Sequence, residues 1–279
     1  MRMSELIIVG VTDAQASRRA IAWAADRARD ESAPVELISI IGGAVGAAGE
    51  EGVLSDAVAG VTARLEEVAA ELSATGLTVR VRVETGDPTS VLVDASKDAG
   101  LLVIGGEPHA HNRRGQHGSR IAAGAHCPVV VVPGVADDAA RRGVVVGVDG
   151  SDVSDAAIEF AASEAERLGE PLTVISAWMP VAIPGDFGVY PDVYLSDLEG
   201  ISQGVVDGVV ERIAAAHPAL HVEGRVGEGD PASVVVEAAS TAVLVVVGSH
   251  GRGGFARFLL GSVSEEVVAH LPAVTAVVR

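Results

Sequence analysis

Lysine is almost missing from this 279-residue chain: it occurs only as Lys97. A Walker A loop needs Gly-Lys-Ser/Thr, and Asp94-Ala95-Ser96-Lys97 does not supply it. The strand lysine of protein kinases has the same lone candidate and no companion motif. Familiar phosphoryl-transfer machinery is thereby excluded. Cysteine also occurs once, so no disulfide can form within the chain, which fits a reducing cytoplasm. Cys127 precedes Pro128 and a run of four valines and reads as a buried structural thiol. Aromatic residues are 3% of the chain against 48% hydrophobic overall, so the core must be built from Val, Ile, Leu and Ala. Such a core suits buried parallel strands under Ala-rich helices. No apolar run approaches the roughly 18 residues that span a bilayer. The stretch Met1–Glu5 leads into a short apolar strand without a signal-peptide pattern. Positive charge is short as well. The formal net charge of −18 repels phosphate backbones and anionic lipids, so neither nucleic acid nor membrane is an expected partner. The expected location is cytoplasmic, and the excess of Arg over Lys suggests a GC-rich bacterial source.

What is present is one unit written twice. Leu6–Asp13 resembles Val144–Gly150, with Gly10 and Gly147 setting an offset of 137 that Ile21/Ile158 and Trp23/Phe160 also keep. Gly86-Asp87-Pro88-Thr89-Ser90-Val91 matches Gly229-Asp230-Pro231-Ala232-Ser233-Val234. Leu101–Gly105 matches Leu244–Gly248, and His126-Cys127-Pro128 with its valine strand matches His270-Leu271-Pro272 and the closing strand. A period this long means duplicated domains rather than a solenoid. The expected division is a first domain over 1–134, an acidic, Ala-rich linker over 135–142 and a second domain over 143–279.

Each unit alternates strand and helix. In the second, Val144–Val148 is a continuous apolar strand. A helix follows with Ile158, Ala161, Ala162, Ala165 and Leu168 on one face, ended by Gly169. Strands are expected at Leu172–Trp178, His221–Val226, Val243–Val247 and Val274–Val278. Helices are expected near Ile201–Ala216, at Ala232–Ser240 and from Ser262 to about His270. The stretch from Met179 to about Leu195 reads as a Pro/Gly-rich loop whose Phe187, Tyr190 and Tyr194 are taken as loop packing. The fold class is α/β: two tandem, doubly wound, mostly parallel five-stranded sheets with right-handed crossovers. Ligands of such sheets bind at the carboxyl ends of the strands.

The second unit carries Gly248-Ser249-His250-Gly251-Arg252-Gly253-Gly254, followed by Gly261-Ser262-Val263-Ser264-Glu265. Glycines let a backbone approach a ligand closely, and successive turn amides form an anion-binding concavity. Gly261-Ser262 stands at a helix start, where free N–H groups and the positive dipole end favour phosphate. Ser262 with Glu265 fits a capping box. Ser262 and Ser264 offer hydroxyls, and Arg252 offers a cation. The competing reading of the loop is a strand-to-helix connection that needs only turn residues and a cap.

Gly248-x2-Gly251-x9-Gly261-Ser262 resembles the ATP-binding signature of the universal stress protein family. Val144–Ser151 resembles the family's first strand and turn, and Gly229-Asp230-Pro231 its Gly-x-Pro segment. The resemblance spans nearly the whole chain, twice over. It implies a Rossmann-like fold and a bound adenine nucleotide, ATP, with Mg²⁺ as an optional companion that Asp149 could hold through the phosphates. It places Asp149, with Gly147 in the same turn, at the nucleoside end. It gives the phosphates to Gly248, Gly251, Gly261 and Ser262, with Arg252, Gly253, Val263 and Ser264 beside them, and the adenine to a backbone group near Ala177. The last strand commonly pairs across a dimer in relatives, which here implies a pseudo-dimer of the two halves, with a homodimer of the whole chain as a further expectation. No catalytic base or metal cluster accompanies the loop. The expected function is a regulatory, stress-response ATP binder with at most slow hydrolysis. The alternative is a protein-interaction scaffold that binds no nucleotide. An adenylyl-transfer enzyme ranks last, because its His-x-Gly-His signature is missing.

The first copy departs from the pattern. Gly105, Gly118 and Ser119 keep the spacing, but Pro108 replaces Gly251, Ile121 replaces Ser264 and Thr12 replaces Asp149. Proline fixes φ and removes an N–H donor, so weakened or absent binding is expected here, the first half serving as a structural partner. A slipped arrangement through Asp13, Arg113 and Arg114 stays open. His109, His111, His117 and His126 cluster in sequence but read as solvated turn residues rather than metal ligands. Ser249-His250 reads as no catalytic pair, since sequence neighbours usually point apart and no GxSxG elbow exists.

Overall fold

A computed structural model describes residues 5–42, 51–108, 116–135, 140–180, 192–251 and 259–279. The chain forms two compact units, one of Met1–Ala136 with Arg257–Leu259 and the other of Asp137–Ala256 with Leu260–Arg279. The first holds β1 (Ile7–Val11), α1 (Gln15–Glu31), β2 (Val35–Ile41), α2 (Glu51–Ser73), β3 (Val79–Thr85), α3 (Pro88–Ala95), β4 (Leu101–Gly106), α4 (Gln116–Gly124) and β5 (Val129–Pro133). The second repeats the order as β6 (Val144–Gly147), α5 (Asp152–Leu168), β7 (Leu172–Trp178), α6 (Asp192–Ala216), β8 (Val222–Glu228), α7 (Pro231–Ala239), β9 (Leu244–Gly248), α8 (Ser262–His270) and β10 (Val274–Val278).

Within the first unit the strands run β3-β2-β1-β4-β5, each neighbour parallel. Within the second they run β8-β7-β6-β9-β10, again parallel. The chain winds outward from the first strand of each unit, then returns to pair the fourth strand on its other flank. That reversal makes a crevice at the carboxyl ends of β6 and β9, the place where open α/β sheets hold ligands.

The central strands are sealed on both faces. Val144, Val146, Leu244, Val245 and Val246 have at most 1% of their surface exposed, and each such side chain contributes roughly 1.5–3 kcal/mol by burial. The helices cover them with small residues: Ala157, Ala161, Ala162 and Ala165 of α5 are buried. Leu168, expected on that face, instead ends the helix partly exposed, because Gly169 turns the chain there with φ 65. Two caps are repeated between units. Asp87 accepts from the Ser90 N–H at 2.8 Å, and Asp230 from the Ser233 N–H at 2.9 Å, each followed by a proline at the helix start. Gly86 and Gly229 precede them with φ 135, a backbone that side chains rarely adopt.

The helix expected near Ile201 begins at Asp192 instead. Gly200, Gly204 and Gly208 lie within it with open space where a Cβ would stand, so they cost propensity but meet no steric obstacle. Phe187 and Tyr190 lie outside the described residues. No described helix is long and apolar enough to cross a membrane.

Candidate functional site

The site is assembled at the crevice between β6 and β9. After β6 the chain turns at Asp149, whose half-buried carboxylate is held from its own loop. Oδ1 accepts from the Ser151 N–H at 3.0 Å and from the Ser154 hydroxyl at 2.8 Å. An aspartate receiving a backbone N–H two residues on is an Asx turn, a local bond that fixes the side chain before any ligand arrives. Ser154 is buried at the start of α5, so the second bond comes from a rigid element.

Gly251, leaving β9, meets that carboxylate. A Cβ built on Gly251 would fall on Asp149 Oδ2, so only glycine lets the loop approach so near. A Cβ on Gly248 would stand 3.2 Å from the His250 carbonyl oxygen and from Val153 Cγ1, so that glycine serves close packing of the loop on α5. Gly147, inside β6, lies under Val235 of α7, 3.2 Å from a built Cβ, and is explained by strand–helix packing.

Gly261 is different. It is the N-cap of α8, with φ −64 and ψ 155, a backbone open to any residue. The nearest atom to a built Cβ, His250 Cα, lies at 3.4 Å, an ordinary contact. Nothing among the described residues demands glycine there, whereas a group approaching the free amides of the first helical turn would. Ser262 at this end is exposed and Val263 half-buried.

The expected capping box does not form. Gly261, not Ser262, is the N-cap, and no side chain caps it. Ser264, one turn in, is buried, and its hydroxyl faces two carbonyls, Gly261 O at 2.9 Å and Ser249 O at 3.1 Å. Its hydroxyl therefore closes the turn, and only its amide points with the helix start. The loop is fastened by Ser249: its N–H donates to Val278 O at 2.6 Å, and its carbonyl accepts from the Gly261 N–H at 2.8 Å. Ser249 and His250 do not point apart as expected. Ser249 Oγ lies 3.2 Å from His250 Nδ1, because the turn leaving β9 brings both side chains to one side. Arg252 and Gly253 lie outside the described residues.

Ala177 stands on β7 beyond the end of its neighbour. The last ladder position is Gly147 opposite Ile175, with the Val148 N–H donating to Ile175 O at 2.9 Å. Alternate residues of a strand present their peptide groups to the same flank. Ala177, two residues on, thus presents its N–H and C=O to the flank where β6 has ended.

The universal stress protein family profile matches residues 3–133 and again 140–279. The chain belongs to the universal stress protein family. A universal stress protein of Mycolicibacterium smegmatis is 34% identical over 98% of this chain and 96% of its own. One of Mycobacterium tuberculosis is 32% identical over 97% and 95%. Among solved structures, a universal stress protein from Archaeoglobus fulgidus superposes with a TM-score of 0.72 at 18% identity, covering 100% of this chain and 99% of that one. A Pseudomonas aeruginosa structure gives 0.69 at 17%, covering 99% and 93%. These two likenesses show the fold.

The other universal stress protein unit builds the same crevice with other groups. Thr12 Oγ1 accepts from the Ala14 N–H at 3.3 Å, a hydroxyl version of the Asp149 turn without its charge. Ser17, equivalent to Ser154 by the offset of 137, bonds the Thr12 N–H at 2.8 Å and has no carboxylate to hold. A Cβ on Gly105 would strike the backbone of Ala16 and Ser17, so this glycine is needed for packing alone. The helix start also moves. α4 begins at Gln116, which places Gly118 and Ser119 inside it, whereas Gly261 and Ser262 stand at the start of α8. Spacing in sequence is kept while position on the helix is not. His109, His111, Arg113 and Arg114 lie outside the described residues. His117 Nδ1 stands 3.3 Å from Thr89 Oγ1, and Lys97 pairs with Asp94 at 2.5 Å past α3.

Sequence reasoning overlooked Ser154 and weighed Ser249 only as a catalytic partner of His250, whereas both hold the site rather than line it. Ser154 was findable, since serine recurs at the offset of 137. Ser249 carried no such signal, because Gly106 stands in its place.

Proposed function

We propose that the second unit binds an adenine nucleotide, ATP, and that the protein acts as a nucleotide-responsive regulator in a stress response. One observation carries the reading: Gly251 of the glycine loop lies against the carboxylate of Asp149, so the two halves of the signature share one crevice. The glycine at position 261, which no contact or dihedral among the described residues requires, supports it further. In this reading the amides of Gly251, Ser262, Val263 and Ser264 take the phosphates, with Gly248, Arg252 and Gly253 in the same loop and Gly261, whose N–H is held by Ser249 O, bringing the backbone close. Asp149 accepts from ribose hydroxyls, the peptide groups of Ala177 meet the adenine edge, and Gly147 packs β6 under α7 just before the turn. Mg²⁺ accompanies the phosphates, balancing charge beside Asp149. Affinity comes from backbone donors rather than from a lysine, and hydrolysis is slow at most. The first unit, with Thr12, Pro108 and a helix that starts early, serves a structural role. The test is direct: denature the purified protein and separate the supernatant by anion exchange. Released adenine nucleotide supports the proposal. A blank chromatogram, together with silent calorimetry at millimolar Mg-ATP, overturns it in favour of a nucleotide-free scaffold.

A further inference from the structure

The imidazole of His250 has a use that the glycine signature does not provide for. His250 follows β9 between Gly248 and Gly251, and its Cα is the nearest atom to the place a Cβ on Gly261 would occupy. It therefore stands inside the loop, between the glycine that touches Asp149 and the glycine that opens α8. Its ring is oriented by Ser249, whose other polar groups are committed to Val278, Gly261 and Ser264. Ser249 is 3% exposed, so the partner that turns the ring is itself locked. With the serine hydroxyl donating to Nδ1, the ring proton sits on Nε2. Nε2 is buried and has no hydrogen-bond partner among the described residues. A buried donor left unmade is costly, and natural structures seldom keep one without a function.

We propose that His250 is a phosphate ligand of this site, donating from Nε2 to a phosphate oxygen of the bound nucleotide, with Ser249 as the positioning residue that fixes the ring and its tautomer. The proposal rests on the nucleotide reading above. It makes the loop selective for phosphorylated ligands through a side chain, beyond what its amides provide. An anionic oxygen satisfies the donor, and the charged hydrogen bond is of the stronger class.

The experiment titrates wild type, His250→Ala, His250→Gln and Ser249→Ala with Mg-ATP and with adenosine by calorimetry. It also follows the His250 ring nitrogens by long-range ¹H–¹⁵N NMR. His250→Ala is expected to weaken ATP about tenfold and adenosine by less than twofold. His250→Gln, which keeps a donor near Nε2, recovers part of the loss, and Ser249→Ala gives an intermediate loss for ATP. In wild type the Nε2 resonance shifts on adding ATP and stays still on adding adenosine. Equal losses for both ligands in His250→Ala, as from a collapsed loop, or no loss for either, overturn the assignment. So does an Nε2 resonance that ATP leaves unmoved. A wild-type protein that binds neither ligand instead defeats the nucleotide reading itself.

Discussion

The two crevices of this chain were copied from one pattern, and the differences between them separate what a fold needs from what a ligand needs. Both copies keep the strand order, the Gly-Asp-Pro cap and the serine that opens the first helix. Those features pack or cap, and a unit cannot lose them cheaply. Among what changed in the first copy are groups that face the crevice or set its loop. Asp149 corresponds to Thr12, Gly251 to Pro108 and Ser264 to Ile121, and the helix start has slipped past the retained Gly-Ser pair. A unit relieved of a ligand is free to vary there.

The comparison can be broken by copying first-unit residues into the second. Gly251→Pro should have the largest effect, because it removes an amide and drives a ring toward Asp149 Oδ2. Calorimetry with Mg-ATP should show at least a roughly hundredfold loss, the amide bond and the displaced Asp149 contacts being lost together. Unchanged affinity would show that the loop asymmetry is irrelevant. Asp149→Thr keeps the turn, since Thr12 already makes it, and removes the charge together with the acceptor of the Ser154 hydroxyl. About tenfold weaker binding of ATP is expected with an unaltered melting temperature. A large fall in melting temperature would mean that Asp149 is structural.

Ser264→Ile tests packing rather than ligand contact. The buried hydroxyl gives way to a larger side chain, and Gly261 O and Ser249 O lose a donor. Thermal unfolding should report a loss of about 1–3 kcal/mol. A neutral result would show that α8 can shift to the position α4 adopts. The smallest effect is reserved for a feature both copies share. Removing the cap with Asp230→Ala should cost about 1 kcal/mol and leave nucleotide affinity alone. In the first unit, the Ser90 N–H and hydroxyl hold the Asp87 carboxyl below the usual carboxylate range. Its contribution is complete above the ordinary carboxylate value and fades as pH falls through the lower, folded one. A carbon-detected titration of Asp87 should give a midpoint below that of an unfolded peptide, and an ordinary midpoint would remove the cap.

Most of the architecture was legible because strands buried on both faces leave continuous apolar runs. Leu172–Trp178 and Val274–Val278 occupy the residues their sequence implied. The start of α6 was not legible. Gly200 stands just before the expected start at Ile201, and the open space where its Cβ would stand lets the helix run through it. At the site, the glycines stood out by their spacing and Asp149 by the family resemblance, but their structural reasons were not legible. Gly147 and Gly105 turn out to be packing residues, and Gly251 answers to a carboxylate far away in sequence. The capping box failed because a Ser-x-x-Glu pattern does not say which residue ends the turn; the bonds of Ser249 and Ser264 decide that. The pairing of Ser249 with His250 likewise depends on how the loop leaves β9, which no neighbour rule contains.

The central claim is that one crevice of the two holds the nucleotide, and binding stoichiometry tests it most directly. Calorimetric titration of the intact chain with Mg-ATP, run beside Asp149→Thr, should give one site per chain that the substitution weakens about tenfold. Two equivalent sites per chain, or a single site that Asp149→Thr leaves untouched, would contradict the account.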